Sequence, residues 1–280
     1  MLDMLLEPFA YEDMVKAIVL SAAVGGMCAF LSSYLMLKGW SLMGDAVSHA
    51  VVPGFVLAFM FGIPLQIGAF ASGLLCSVGV GYLKNNSRLK EDTVMGIVFS
   101  GMFALGLVLF TKVETDQHLT HILFGNVLGV SREELLQTFA ICAAVAVAVL
   151  LKRRDFMLYC FDPAQARIAG LSPQFLHYSL LTLLALTIIT AMQVAGVVLV
   201  VAMLISPGIT AFLLTKRFER MMIIVVAASV FTSLAGTLLS YHLNSATGPS
   251  IVILQAALFL LALIWNKLRQ TFGRHEAIAG

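Results

Sequence analysis

Residues 180–214 read LLTLLALTIITAMQVAGVVLVVAMLISPGITAFLL and contain no Asp, Glu, Lys, Arg or His. One helix needs about 20 predominantly apolar residues to cross the hydrocarbon core of a bilayer. With its flanking residues, this stretch is long enough for two membrane helices, which we place at about 174–195 and 196–215. The separation depends on Gly196, because glycine favours a break in a helix and nothing else divides the two runs.

Similar apolar runs fill the rest of the chain. Hydrophobic residues make up 60% of the 280 residues and charged residues 11%, whereas a soluble domain carries about 25% charged residues. The remaining runs lie at about 14–37, 42–62, 64–83, 93–111, 135–151, 221–242 and 248–266. We therefore predict an all-α, polytopic transmembrane bundle of eight or nine spans. The short loops favour a single transmembrane domain over residues 1–280 and leave little room for a soluble catalytic domain.

The basic residues predict how this bundle is oriented. In a nine-span arrangement, fourteen of the 17 Lys and Arg residues fall on one side, and an excess of basic loop residues marks the cytoplasmic side. The N-terminus is thus expected outside and the C-terminus in the cytoplasm. The external side is acidic. This charge suits a protein that receives cations, but ordinary solvated loops would have it as well. The same two interpretations apply to an external loop that carries Glu114, Asp116, His118 and His121.

One acidic residue lies inside an apolar run. It is Asp45, in the segment GWSLMGDAVSHAVVPG of residues 39–54. A charge at mid-bilayer costs roughly 2.5–3.5 kcal/mol, so such a residue normally faces the bundle interior or a watery cavity. His49 follows four residues later, which places both side chains on one helix face. A carboxylate oxygen and an imidazole nitrogen suit Mn²⁺, Fe²⁺ or Zn²⁺; the alternative is an Asp–His pair that neutralises itself inside the bundle.

The surroundings of this pair favour a weak, open metal site. Pro53 and Gly54, with Gly44 before the pair, indicate an interrupted helix whose freed carbonyls offer further oxygen ligands. The four cysteines show no CxxC spacing, so a thiolate metal site is not supported. Incomplete ligation is what a translocation site needs, because the ion has to leave again.

A second segment is too short to cross the membrane. Residues 161–172 read FDPAQARIAGLS, in which Asp162 is a favourable N-cap and Pro163 a favourable first helical residue. Gly170 fits the position just beyond the helix, where a left-handed backbone ends it. A helix this short is marginal in water. It therefore needs a partner, either a cytoplasmic protein or the membrane surface on which an amphipathic turn would lie.

Five segments together carry a family resemblance. They are LKGWSLMGDAVSHAVVPG at 37–54, SRLKED at 87–92, FGNVLG at 124–129, the helix at 162–170 and AMLISPGITA at 202–211. With them, the chain resembles the metal-type ABC transporter permeases, which import manganese, zinc and iron, over nearly its whole length. The segment EPFAY at residues 7–11 and the Gly-Trp-Ser sequence are most similar to the manganese and chelated-iron branch.

The resemblance implies a permease subunit of an ATP-binding-cassette importer in the bacterial cytoplasmic (inner) membrane. Its cargo would be a divalent transition-metal ion, with no permanently bound cofactor. Asp45 and His49 match the residues that coordinate the metal in the family. The coupling helix, which docks into the ATPase, matches the segment carrying Asp162, Pro163, Ala166, Arg167 and Gly170.

The same resemblance implies three protein partners. A dimer of cytoplasmic ABC ATPases would drive transport, a second permease, identical or paralogous, would complete the path, and an external metal-binding protein would deliver the ion. The chain has no Gly-x-x-x-x-Gly-Lys-Ser/Thr sequence with which to cradle nucleotide phosphates. We therefore expect it not to be an enzyme itself, and no nucleic-acid partner is expected.

Two other transport functions remain open at this point. A proton-coupled secondary metal transporter would carry its own energy coupling, but such a protein usually needs several intramembrane acids and only Asp45 qualifies. An import permease for a metal chelate would need a wide central cavity without ligands near Asp45.

Overall fold

The computed structural model describes residues 7–40, 42–112 and 132–279, and within these ranges every regular element is helical. A 3₁₀ turn at Glu7–Ala10 precedes eleven α-helices. They are α1 (Glu12–Lys38), α2 (Met43–Ala50), α3 (Val52–Phe61), α4 (Leu65–Asn86), α5 (Glu91–Phe110), α6 (Arg132–Leu151), α7 (Arg153–Phe161), α8 (Pro163–Ile168), α9 (Pro173–Leu214), α10 (Phe218–Leu243) and α11 (Thr247–Ala279). The predicted all-α class is confirmed.

Eight helical segments in the described ranges are long and apolar enough to cross a membrane. Helices α2 and α3 together form one of them, Met43–Phe61. Helix α9 is one of these eight segments. Its 42 residues would extend about 63 Å at 1.5 Å per residue, roughly twice the hydrocarbon thickness. A single straight span of that length does not fit a bilayer.

Helix α9 is broken at Gly196. This residue has φ 76° and ψ 165°, a combination that glycine adopts without the steric cost that a Cβ would bring. Contacts with α1 and with the turn that follows it show the direction of each half of α9. In the first half, His177 contacts Trp40 in that turn and Val194 lies in one cluster with Leu20. In the second half, Gly208 approaches Met36. The first half therefore runs from the end of α1 towards its start, and the second half returns.

With the two halves of α9 taken separately, the described segments give nine crossings, which lies within the predicted eight or nine. An odd number of crossings places the two ends of the described chain at opposite ends of the bundle. Which end faces the cytoplasm stays a prediction from the charge distribution.

The two ends of the bundle can be recognised by their contacts. At one end, the start of α4 meets the start of α6, where Gln137 Nε2 donates a hydrogen bond to Gln66 Oε1 at 2.8 Å. At the other end, which we call the α8 end, the Tyr34 hydroxyl donates to the main-chain oxygen of Arg153 at 3.3 Å. Helix α7 lies at this α8 end next to the C-terminus of α1, and α8 packs against α7 and α9.

Helix α1 lies in the middle of the bundle, between α9 and α10. Small residues allow α10 to approach it closely: a Cβ placed on Gly25 would lie 2.8 Å from Ser233 Oγ, and Ser229 Oγ donates to the Gly25 carbonyl at 2.9 Å. Helices in lipid associate through such close contacts and hydrogen bonds, because apolar side chains gain little by leaving the lipid tails. The shorter helices α2 and α3 pack on α4 and α5 instead, and α2 also packs on α9.

Candidate functional site

The turn that leads into α2 is defined by a glycine. Gly39 has φ 73° and ends α1, with its N–H donating to the Met36 carbonyl at 3.3 Å and the Trp40 N–H donating to Leu35 at 2.9 Å. This pair of bonds is the Schellman motif, which satisfies carbonyls at a helix end. The Trp40 carbonyl then accepts a bond from the Met43 N–H at 3.2 Å. Trp40 thus connects the end of α1 directly to the start of α2.

Asp45 and His49 lie on one face of α2, as their spacing predicted. Asp45 Oδ1 is 3.4 Å from His49 Nε2, and the two side chains are 37% and 34% exposed in the single chain. The His49 ring packs against α5, with its centroid 5.0 Å from Phe103 and 6.1 Å from Phe99. The pair is therefore held on one side by aromatic rings and open on the other.

The backbone after His49 also offers oxygen atoms. Helix α2 ends at Ala50 and α3 begins at Val52, and Pro53 has no N–H to donate to the carbonyl four residues earlier, which belongs to His49. The next carbonyl, that of Ala50, accepts a bond from Ser72 Oγ at 2.6 Å. The expected interruption is present, and the His49 carbonyl lacks the helical bond that residue 53 would otherwise donate.

Close helix crossings fix the position of the α2–α3 unit. A Cβ on Gly54 would collide with the Gly68 carbonyl and with Ser72 Cβ on α4. On the α5 side, a Cβ on Gly106 would lie 2.9 Å from the Pro53 ring. Since interior packing is dense and tolerates little added volume, these contacts define where the unit lies between α4 and α5 in the described conformation.

The donor set of a single chain is too small to bind an ion tightly. Among the described residues, no group of three or more His, Cys, Asp and Glu side chains lies close enough to hold a metal. Asp45 and His49 are two donors on an open face, so solvent or a second chain would have to supply the rest. The 3.4 Å approach is compatible with the self-neutralising pair as well, and the assignment as metal ligands stays a prediction.

The short helix after α7 has the predicted boundaries. Asp162 Oδ1 accepts bonds from the N–H groups of Ala164 at 2.8 Å and Gln165 at 3.1 Å, which is a side-chain N-cap. Helix α8 begins with Pro163. Beyond its end, Gly170 has φ 79°, and Leu171 N–H donates to the Ala166 carbonyl at 3.0 Å. Local sequence therefore determines this helix, while its role in coupling stays a prediction.

The surface of α8 shows a feature that the sequence pattern did not reveal. Ala166 is fully buried, whereas Ile168 is 87% exposed and the flanking Phe161 and Phe175 are 64% and 66% exposed. These three exposed apolar side chains, which we call the α8 apolar patch, lie on or near a helix that is too short to cross the membrane. An apolar residue on a six-residue helix carries no periodic signal, so only the three-dimensional arrangement identifies the patch.

Cys160, just before α8, is not available as a thiolate ligand. Burial raises the pKa of its thiol to about 12, and nearby Lys38 offsets this only in part. The thiol therefore stays protonated at neutral pH, whereas metal binding and nucleophilic attack need the thiolate. The loop residues Glu114, Asp116, His118 and His121, singled out in the sequence, lie outside the described residues.

Comparison with known proteins adds family information to this geometry. Residues 10–266 match the model of the ABC 3 transport family. The chelated iron transport system membrane protein YfeD of Yersinia pestis is 60% identical over 271 residues, which cover 97% of this chain and 91% of that protein. The manganese transport system membrane protein MntB of a Synechocystis strain is 51% identical over 260 residues, covering 93% and 85% of the two chains.

A solved structure shows the same arrangement of helices. A chain of PsaBC from Streptococcus pneumoniae, determined in complex with Fab, superimposes with a TM-score of 0.83 at 35% sequence identity. The match covers 94% of this chain and 95% of that one. Sequence and architecture therefore point to the same family.

Proposed function

The chain belongs to the ABC 3 transport family, and we propose that it imports a divalent metal ion, Mn²⁺ or Fe²⁺, through a site that contains Asp45 and His49. It is a multi-pass membrane permease subunit of the kind found in manganese and chelated-iron transport systems. The observation that carries the proposal is the open Asp45–His49 face on an intramembrane helix. Zinc is a further candidate cargo, and the bacterial cytoplasmic membrane is the proposed location.

The chemistry of the pair fits a passing ion. A carboxylate and a neutral imidazole are ligands that Mn²⁺ and Fe²⁺ both accept, and neither binds these ions as tightly as a thiolate set binds zinc. Asp45 supplies a negative charge that partly offsets the cost of bringing a divalent cation into a low-dielectric region. The His49 carbonyl, which receives no bond from Pro53, is a further neutral oxygen beside the pair.

A second permease completes the site. Each chain contributes two side-chain donors that are about one-third exposed, so two chains facing each other would enclose the ion with two carboxylates and two imidazoles. Four such donors approach the coordination number that these metals need. The partner is either an identical chain or a paralogue, and the whole of residues 1–280 serves as one transmembrane domain.

Energy coupling takes place through another subunit. The α8 apolar patch of Phe161, Ile168 and Phe175 supplies a docking surface for a pair of cytoplasmic ATPases, with Asp162, Pro163, Ala166, Arg167 and Gly170 shaping the helix. The ATPases hydrolyse ATP, and this chain does not. An external metal-binding protein delivers the ion at the end of the bundle opposite α8, where the sequence is acidic.

The rival function, a proton-coupled secondary transporter, has less support. Within the described spans, Asp45 is the acidic residue that lies away from the helix termini. Proton-coupled carriers depend on chains of intramembrane ionisable groups. Membership of an ABC family favours ATP as the energy source instead.

The test is metal uptake by the complete complex in proteoliposomes, containing this chain, the second permease, the ATPases and the external binding protein. Mn²⁺, Fe²⁺, Zn²⁺ and an iron chelate are offered separately, each with and without ATP inside. We expect ATP-dependent accumulation of free Mn²⁺ or Fe²⁺. Accumulation driven by a proton gradient without ATP would support the secondary transporter, and uptake of the intact chelate alone would support a chelate permease.

A further inference from the structure

A cluster of four side chains connects the coupling segment to the metal-carrying helix at the α8 end of the bundle. Its members, which we call the junction, are Lys38, Trp40, Tyr159 and His177. Lys38 and Trp40 stand on either side of Gly39, in the turn between α1 and α2. Tyr159 belongs to α7 and His177 to the start of α9. None of these positions was singled out as a metal or coupling residue by the sequence pattern.

The contacts within the junction are direct. The Tyr159 hydroxyl and His177 Nδ1 are 2.9 Å apart, a hydrogen-bonding distance. The Lys38 ammonium lies 4.1 Å from the centre of the Tyr159 ring, which is a cation–π contact. The Trp40 and His177 ring centroids are 5.3 Å apart at an angle of 74°, the edge-to-face geometry preferred by aromatic pairs. Two parallel contacts therefore connect the α7–α9 side with the α1–α2 turn.

The position of these residues along the chain gives the junction its significance. Tyr159 precedes the Asp162 cap of α8 by three residues, and His177 follows Gly170 by seven. A force applied to α8 thus moves both residues, and their mutual contact makes them move together. On the other side, Trp40 is 1% exposed and stands five residues before Asp45, with its carbonyl bonded to the Met43 N–H that opens α2.

The buried part of the junction is densely packed. On its far side, a Cβ placed on Gly81 of α4 would lie 2.9 Å from His177 Nε2. Tyr159 is 5% exposed, and Trp40 and Phe156 are buried in the same cluster of side chains. Densely packed groups transmit a shift because they cannot be compressed.

From this geometry we propose that Lys38, Trp40, Tyr159 and His177 transmit the movement of α8 to α2, so that ATP hydrolysis changes the position of Asp45 and His49. They are positioning residues that touch neither the metal nor the nucleotide. The inference rests on the proposed function and adds the physical route by which the two sites exchange free energy.

The experiment replaces Tyr159 with Phe, which removes one hydroxyl and keeps the ring under Lys38. Tyr82→Phe is the matched control, because Tyr82 lies on α4 near the same end of the bundle and is 63% exposed. Both variants are reconstituted in the complete complex. Three quantities are measured: Mn²⁺ transported per ATP hydrolysed, the ATPase rate, and the melting temperature.

We expect Tyr159→Phe to lower the Mn²⁺-to-ATP ratio about three- to tenfold, the size of effect that losing one hydrogen bond allows. Its ATPase rate stays within about twofold of the unmodified complex, since α8 and the nucleotide sites are unchanged. Tyr82→Phe keeps the original ratio. A lowered melting temperature with an unchanged ratio would show that the junction is only structural and would overturn the proposal.

A second pair of variants tests the junction from α4. Gly81→Ala presses a methyl group against His177, whereas Gly79→Ala adds the same group where nothing lies within 4 Å. We expect Gly81→Ala to lower the Mn²⁺-to-ATP ratio and Gly79→Ala to leave it unchanged. Equal Mn²⁺-to-ATP ratios in the two variants would contradict transmission through the junction. Failure of the proposed function is a separate result, because it would appear as absence of ATP-dependent metal uptake in the unmodified complex.

Discussion

At the residue scale, the proposed metal site of this chain consists of two side chains one helical turn apart. Asp45 and His49 face the same way because α2 continues through both of them, and Phe103 supports the imidazole ring from α5. The residues between them, by contrast, are buried. The pair is therefore the exposed part of α2 in the single chain.

The first prediction concerns these two residues. Asp45→Asn keeps the shape of the side chain and removes its charge, and His49→Gln removes the imidazole. Each should lower Mn²⁺ uptake by at least about tenfold, because half of this chain's donor set is lost or neutralised. Uptake of ⁵⁴Mn²⁺ by cells is the measurement, with membrane content of the protein determined in parallel.

Ser48→Ala is the matched control on the same helix. Its hydroxyl is buried and donates to the Gly44 carbonyl of its own helix at 2.8 Å. The Ser48 hydroxyl is therefore already bonded within α2 and is not part of the proposed metal site. Uptake should remain within about twofold of the unmodified protein, since Ala is a good helix former. Equal losses in all three variants would indicate that α2 is merely sensitive to substitution.

At the element scale, three local features shape the candidate site and the coupling segment. A glycine with a left-handed backbone ends α1, and the interrupted α2–α3 unit carries Asp45 and His49. The capped helix α8 carries the α8 apolar patch. Each of these features depends on the local chemistry of one or two residues. Their relative placement comes from close helix crossings, above all the contact between Gly54 and Gly68.

The second prediction tests that crossing. Gly54→Ala would drive a methyl group into the α4 backbone, and overpacking of this kind costs about 1–3 kcal/mol. The melting temperature of the purified protein should fall by several degrees. Gly79→Ala, on α4 with open space around it, should leave it unchanged or raise it, since Ala favours helix over Gly by about 1 kcal/mol. A Gly54→Ala variant as stable as the unmodified protein would mean that the two helices are further apart than described.

The third prediction concerns the α8 apolar patch. Ile168→Asp places a charge where an apolar partner surface is expected, whereas Ile168→Leu keeps the apolar volume. Association with the ATPase subunits should weaken at least tenfold in the first variant, because burying an unpaired charge is costly, and should be retained in the second. Co-purification from detergent and the dissociation constant by light scattering measure this. Equal ATPase binding by both variants would exclude Ile168 from the interface.

At the scale of the whole molecule, the sequence predicted what local chemistry determines. The break at Gly196, the cap at Asp162 and the shared face of Asp45 and His49 each depend on residues close together in the chain, and the structure has all of these features. The contact of Tyr159 with His177 and the exposure of Ile168 depend on how distant helices pack. No spacing in the sequence encodes such contacts, which is why the junction and the patch were not predicted.

The architecture also explains how distant parts can act together. Helix α1 is buried between α9 and α10, and α2 follows it after the single turn at Gly39. A short helix that follows a turn is able to shift as a unit. The proposed metal pair lies on such a helix, and the junction contacts the turn that precedes it.

The most direct test is the position of the ion itself. Crystals of the complete complex grown with Mn²⁺ would be measured by anomalous diffraction at the manganese edge. We predict a manganese peak within about 2.5 Å of an Asp45 carboxylate oxygen and a His49 ring nitrogen, typical of oxygen and nitrogen coordination to such ions, and no peak in Asp45→Asn crystals. Manganese bound elsewhere along the path, with Asp45 and His49 turned to lipid or to one another, would contradict the account.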